Sequence, residues 1–411
     1  MSHRILVVSN FYPPIIYGGY EIACAQVVEG LRDSGFEVDV LTSNHRSEEC
    51  GQENGVHREL LCSFGKPIHQ LPFLERSRRL LAFEFGNQRR FREAVKQFHP
   101  DLIYFWNLGG TSRSLLALAK QQGWNHGIFL FDCSLTDSSS DLWERHAGQQ
   151  VSRLPNRIAR LVLRRFARAL SIESPTNIRQ PDFCHYPTDY ILKHHAQFGF
   201  HPVEWVKTTW GVDENTFIPS VNPKVLRLLF IGQVAEHKGV HVAIESLGRL
   251  VSSGEFPEVS LTIAGKSLQN DYQTKLERLI ATLNLTDRVN FIGPVGRGDL
   301  PSLYNHHSVL IFPSIWEEPM GIVILEAMAC GLAIVSSGSG GARELTSPDV
   351  DGLFFESGSA EDCARQIARL IKSPRMMENL GENARKTVLE RFRFSSLISG
   401  IAGDIAARCI T

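Results

Sequence analysis

Residues 308–337 read SVLIFPSIWEEPMGIVILEAMACGLAIVSS, and their reading decides the fold. The run 308–312 is apolar and of strand length. Residues 313–321 carry loop chemistry, with two prolines and one glycine. Residues 322–330 then read as a helix, and Gly331 stands where a helix C-terminus favours glycine. A second apolar strand follows at 332–335. Strand, loop, helix and strand make one unit of a parallel sheet with a crossover helix.

Two carboxylates make this unit more than scaffolding. Glu318 lies on the loop before the helix, and Glu326 lies inside the helix with seven residues between. The neighbours Leu325, Ala327, Met328 and Ala329 point the Glu326 carboxylate toward a half-buried place. An ionised group there is costly unless it is hydrogen-bonded, and a vicinal diol is one good partner. The backbone N–H groups of residues 320–323 open the helix and suit an anion. A second reading stays open from spacing alone, with Glu318 as a cap and Glu326 on the surface.

The 411 residues suffice for two or three domains, each with its own core. Lys plus Arg number 43 against 44 Asp plus Glu, so a net charge of −1 gives no general affinity for nucleic acid. No apolar run reaches the roughly 18 residues of a membrane span. The N-terminus reads as a first strand, too short and uncharged for a signal peptide. The eight cysteines are scattered without paired spacing, which argues against zinc and disulfide frameworks and makes a reducing cytoplasm the expected compartment.

Outward from the opening stretch, the chain reads as further α/β units. A strand at 4–9 precedes a loop with Gly18 and Gly19, then a helix over 20–34 and a strand at 37–41. A glycine pair ahead of a helix lets backbone approach a phosphate closely, although a plain turn is the other reading. The three-glycine dinucleotide fingerprint is absent. Residues 50–66 read as loop or a short hairpin, 73–98 as an arginine-rich helix, and 102–105 and 128–131 as strands. Asp132 opens a polar loop at the C-terminal end of the last of these, the edge where open α/β sheets bind ligands. There it can orient or partly deprotonate a hydroxyl, or simply cap the loop.

Residues 153–170 read as an amphipathic helix with six arginines and no acids, either a domain helix with a solvated face or a contact with an anionic membrane. A strand at 203–209 leads into Trp210-Gly-Val-Asp and the connection to the second half. That half opens with a strand at 225–231. Gly232-Gln-Val-Ala-Glu-His-Lys-Gly follows, with Lys238 well placed to meet a diphosphate, though the spacing is not that of a Walker loop. Then come a helix from 240, a strand at 259–264 ending at Gly265, a helix over 271–283 and a strand at 289–292. The strand beginning at Gly352 precedes helices at 359–372 and 375–391. A final helix from 395 to 408 is expected to cross back to the first domain.

The words Glu-Pro-Met-Gly-Ile-Val-Ile-Leu-Glu-Ala-Met-Ala-Cys-Gly, preceded by Pro313-Ser314, resemble the donor-sugar motif of the retaining glycosyltransferases of family 4. The resemblance covers residues 220–395 well and the first domain loosely. It implies the GT-B fold, an α/β architecture of two Rossmann-like domains facing each other across a cleft. The domains would be 1–210 plus the C-terminal helix 395–411, on the acceptor side, and 211–394, on the donor side. The implied activity is retaining transfer of a sugar from a nucleotide-diphosphate sugar, with UDP preferred, to a glycan, lipid-linked or small-molecule acceptor.

In that likeness Glu326 holds the ribose diol, and Glu318 with the N–H groups of Met320 and Gly321 holds the sugar hydroxyls. Lys238 and the helix start at Ile322 meet the diphosphate, and Gly18 and Gly19 face the same phosphates. Val295 presents backbone to the base, with Asp299 and Leu300 at its rim, and Gly265 joins the donor-binding set. Ser339-Gly-Gly-Ala-Arg-Glu matches the family's second glycine loop. Three departures stand out. Gln233 occupies the place of an arginine, while Trp106 and Phe131 occupy places where many members carry histidine. No metal or other cofactor is expected, because the diphosphate's charge already has partners and the one Asp-x-Asp, Asp349-Val-Asp351, looks like a turn. The same departures keep a rival in view, a nucleotide-sugar-binding pseudoenzyme. Peripheral contact with the inner face of the membrane would run through 153–170.

Overall fold

The computed structural model describes residues 2–51, 53–64, 70–136, 146, 165, 180–219, 226–256, 258–267 and 270–410. The chain forms two compact units. The first holds Met1–Pro187, Ile191–Thr208 and Ile398–Thr411, and the second holds Thr188–Tyr190 and Thr209–Leu397. The amphipathic helix expected at 153–170 lies outside the described residues.

The first unit has a parallel sheet built on β1 (Arg4–Val8), β2 (Glu37–Ser43), β3 (Val56–Leu60), β4 (Leu102–Phe105), β5 (His126–Phe129), β6 (Phe183–Tyr186) and β7 (Glu204–Lys207). Among the described residues its order is β3-β2-β1-β4-β5-β6-β7. Helices α1 (Gly19–Asp33), α2 (Phe73–Phe98), α3 (Ser114–Gln122) and α4 (Asp189–Gln197) make crossovers. The central strands are buried and largely apolar, with Arg4 and His126 at the starts of β1 and β5, because helices cover both faces of such a sheet. Residues 50–66, expected as loop or hairpin, instead contain β3, which lies parallel beside β2. Its sequence Val-His-Arg-Glu-Leu alternates in burial as an edge strand does, so no apolar run announced it.

The second unit repeats the plan with β8 (Leu228–Ile231), β9 (Leu261–Ala264), β10 (Val289–Gly293), β11 (Val309–Phe312), β12 (Ala333–Ser336) and β13 (Leu353–Phe354). The order β10-β9-β8-β11-β12-β13 is again parallel. Its helices are α5 (Val240–Ser252), α6 (Asn270–Thr282), α7 (Leu300–Asn305), α8 (Ile322–Ala329), α9 (Ala360–Lys372) and α10 (Pro374–Arg391). A last helix, α11 (Phe394–Ile410), starts in the second unit and ends in the first. The strand order reverses between β8 and β11. In sheets of this kind ligands bind outside the carboxyl ends of the strands at that switch. Two doubly wound, Rossmann-like parallel sheets are the α/β class expected from the sequence.

Candidate functional site

The loops leaving β8 and β11 are joined by an ion pair, Lys238 with Glu318. Lys238 closes a single 3-10 turn after β8, and its Nζ donates to both carboxylate oxygens of Glu318, at 2.7 and 2.9 Å. Ser314 Oγ donates to Glu318 Oε1 at 2.7 Å, and the Glu318 carbonyl accepts from the Gly341 N–H. Glu318 is thus not a solvated cap. Its side chain is 5% exposed against 24% for Lys238, so the carboxylate is held by two donors, Lys238 and Ser314, and its backbone by a third at the switch point. Trp316 flanks the pair, with Lys238 Nζ 5.9 Å from its ring centre and the His237 imidazole in edge contact.

Backbone rather than side chains brings these loops together. Gly239 has φ +69°, and a Cβ there would sit 1.9 Å from the Pro313 carbonyl oxygen. Gly265, expected among the donor contacts, has a packing reason of its own, since its Cβ would lie 1.7 Å from the carbonyl oxygen of Gly232. Gln233, next in the chain, is half-buried. The helix α8 begins after Gly321 with no side chain capping it, and Met320 is buried while Ile322 and Val323 are partly exposed. Its first N–H groups therefore open onto the same loop, the arrangement that attracts an anion.

Glu326 lies one turn further along α8 and is 4% exposed, so the surface reading of this residue fails. Tyr304 on α7 donates its hydroxyl to Oε2 at 2.8 Å, and Arg297 Nη1 stands 3.9 Å from Oε1. Burial pushes the carboxyl up from 4.5 to about 6, against the Tyr304 hydrogen bond and the Arg297 charge, which favour ionisation. Neither Tyr304 nor Arg297 was read from the sequence as part of the site. Val295 and Leu300 follow β10 and are half-buried, with Arg297 between them.

In the first unit Gly18 precedes α1, and its N–H donates to the Glu21 carboxylate at 2.8 Å. Burial raises the Glu21 pKa. Gly19 is the first residue of the helix. Asp132 follows β5. Its Oδ1 accepts the Ser134 N–H at 2.9 Å, and Asn107 Nδ2 is 3.4 Å from Oδ2. Desolvation raises its pKa even though the Ser134 contacts and the Arg113 guanidinium favour charge. A carboxylate so placed is fit both to cap its loop and to accept a proton.

The two aromatic departures are built into one wall. Trp106 is fully buried and stacks on Phe129 with ring centres 4.9 Å apart, while Tyr20 meets both Trp106 and Phe131 edge-on at 5.7 Å. The Asp349-Val-Asp351 pair is indeed a turn. Asp351 accepts from the Ser347 N–H and the Thr387 hydroxyl, and Asp349 accepts from Arg369.

The chain and its fold are similar to those of known proteins. Residues 18–206 match the glycosyl transferase 4-like domain model, and residues 212–387 match the glycosyl transferases group 1 model. The chain is 25% identical to an uncharacterized glycosyltransferase of Methanocaldococcus jannaschii, over 96% of this chain and 95% of that one. Its fold is similar to that of sucrose-phosphate synthase from Thermosynechococcus elongatus, with a TM-score of 0.72 at 19% identity over 99% of both chains. It is also similar to HepE of Anabaena in complex with UDP and glucose, with a TM-score of 0.67 at 19% identity over 98% of this chain and 100% of that one.

Proposed function

The chain belongs to the group 1 glycosyltransferases of the GT-B fold, and on that premise we propose that it moves a glycosyl group from a UDP-sugar to a glycan, lipid-linked or small-molecule acceptor, with retention at the anomeric carbon and without a metal. The observation that carries the reading is the Lys238–Glu318–Ser314 constellation on the loops at the β8/β11 switch, opening onto an uncapped α8. A cation, a fixed carboxylate and converging N–H groups are what a sugar diphosphate asks for. UDP is preferred because HepE, similar in fold, was solved with UDP and glucose.

Glu326 takes the ribose diol, using an oxygen that Tyr304 leaves available. Glu318 and the N–H groups of Met320 and Gly321 take the sugar hydroxyls. Lys238 turns from Glu318 to the diphosphate as the donor enters, and with the Ile322 end of α8 it stabilises the charge that develops on the leaving group. The base meets the backbone of Val295 and the rim at Leu300. Gly18 and Gly19 offer N–H groups to the phosphates, the Gly18 N–H turning away from the Glu21 carboxylate that it meets in the unliganded chain. Asp132 orients the acceptor hydroxyl. A binding-only protein is not favoured, because the chain is similar to transferases along its whole length.

The test is release of nucleoside diphosphate from UDP-glucose, UDP-galactose, UDP-N-acetylglucosamine and GDP-mannose, beside thermal shifts with UDP, GDP and ADP. One donor should be hydrolysed slowly and the matching nucleotide should raise the melting temperature. No release and no shift with any of them would sink the reading.

A further inference from the structure

Four rings of the first unit pack into a single cluster at the C-terminal edge of its sheet. Phe11 is buried at its base. Tyr17, His45 and Phe64 stand on it with centre distances to Phe11 of 4.9, 5.5 and 5.7 Å. Tyr17 and Phe64 also meet each other edge-on at 4.8 Å, yet they are 42% and 48% exposed. Tyr17 Oη and His45 Nε2 are hydrogen-bonded at 2.8 Å, so the rings are fixed and their rim is polar. Large aromatic side chains held rigid and left in water are unusual unless something covers them.

We propose that this cluster is a stacking platform for a neutral hexopyranosyl residue of the acceptor, an inference that rests on the transferase reading. A pyranose has one face of C–H groups, which packs on an aromatic ring, and an edge of hydroxyls, which needs polar partners. Both kinds of surface are present. The platform is also continuous with Asp132. Asn107 approaches Asp132, Asn10 Nδ2 donates to the Gly109 carbonyl, and the Gly109 N–H donates to Asn107 Oδ1. The next residue, Gly110, has its Cβ position 3.8 Å from the Cβ of Phe64. Asp132 and the rings thus share one sheet edge, linked through a glycine pair and two carboxamides.

The charges around the cluster argue for a sugar over a bilayer. Arg46 is paired with Glu49, and Arg58 with Glu53, its guanidinium also bonded to the carbonyls of Tyr12 and Pro13. Glu48 adds a further acid. An anionic membrane surface would need a surplus of unpaired cations there.

Saturation-transfer NMR on the full chain tests the platform, with methyl glucopyranoside, galactopyranoside and mannopyranoside as probes and UDP calorimetry run on the same sample. Irradiation of aromatic protons should mark the C–H face of at least one pyranoside. Tyr17→Phe should keep the signal, while Phe64→Leu, which keeps bulk but not the ring, should lose most of it. With a working acceptor, Phe64→Leu should raise its KM roughly threefold to tenfold. Should Phe64→Leu unfold, Tyr17→Leu gives the same reading from the second exposed ring. A wild type that binds UDP but transfers saturation to no sugar overturns the platform. So does binding to phosphatidylglycerol vesicles that Phe64→Leu abolishes, since the patch would then be a membrane contact. A wild type that binds none of UDP, GDP and ADP and no sugar overturns the transferase reading and the platform with it.

Discussion

At Glu326 one carboxylate answers two opposed demands. The proposed role asks for an ionised acceptor of two hydroxyls, whereas burial resists the charge and lifts its pKa from 4.5 to about 6. Replacement by Gln should cost about 1.5–3 kcal/mol of nucleotide binding, or roughly tenfold to a hundredfold in affinity by calorimetry. Unchanged affinity would remove Glu326 from the site. UDP affinity of the wild type should fall as pH drops below about 6, because the protonated acid loses an acceptor. Tyr304→Phe should move that midpoint upward, since the phenol's hydrogen bond favours the ionised form. Stability runs the other way. A carboxyl whose folded pKa is raised gives stability that is fully present below 4.5 and is lost as pH rises through about 6. The unliganded Gln variant should therefore be more stable than wild type at neutral pH, by about 1–2 kcal/mol, with the gain vanishing in acid. Equal denaturant midpoints across that range would contradict the burial argument.

Residues such as Tyr304 mark where sequence reading stops. It lies 22 positions before Glu326 and on another helix, so only the fold brings its hydroxyl there. Ser314 stood within the quoted motif, but its bond to Glu318 depends on how the loop turns. The cluster of Phe11, Tyr17, His45 and Phe64 is likewise scattered over three loops. At the scale of elements legibility was much better. β11, α8 and β12 lie within a residue of their expected bounds, and α2 matches its own, because continuous apolar runs and clear helical composition mark them. β3 was missed for its half-polar edge pattern. β6 and α4 were not read at all, the one a four-residue strand containing a histidine and the other a nine-residue helix with two.

Helix α11 gives the element-scale prediction. Its first turn is held by Glu214, whose Oε2 accepts the Phe394 N–H at 3.1 Å and whose Oε1 accepts the Ser395 hydroxyl at 2.6 Å. A carboxylate there satisfies an orphan donor and complements the helix dipole. Further along, Asp404 bonds His185 Nε2 and Arg408, and Arg408 also bonds Glu204, all within the first unit. Glu214→Ala should destabilise the chain by about 1 kcal/mol, read as a lower denaturant midpoint. It should also raise amide exchange at the start of the helix without changing UDP affinity. Exchange at Phe394 no faster than in wild type would show that the cap is idle.

At the scale of the whole molecule the charges nearly cancel, 43 basic against 44 acidic, so the charge of a diphosphate must be met locally. In the second unit Lys238 and the open end of α8 are the groups for that task, and Glu318 and Glu326 are committed to hydroxyls in the proposed reaction. The acids of the Asp349 turn are committed elsewhere, with Asp351 2% exposed between Ser347 and Thr387 and Asp349 on Arg369. Gln233 is the point of strain in this account. Where the family likeness expects an arginine there is one cation fewer, and Mg²⁺ is the obvious substitute for a missing charge. Two measurements decide it. Turnover with the donor found by the hydrolysis screen should survive excess EDTA, and Gln233→Arg should tighten nucleoside diphosphate binding roughly threefold to tenfold. The first-formed product, followed by NMR before it can equilibrate, should keep the donor's anomeric configuration. Activity lost to EDTA and restored by Mg²⁺ would show that the protein's own cations are too few. An inverted product would break the link between this site and retaining transfer.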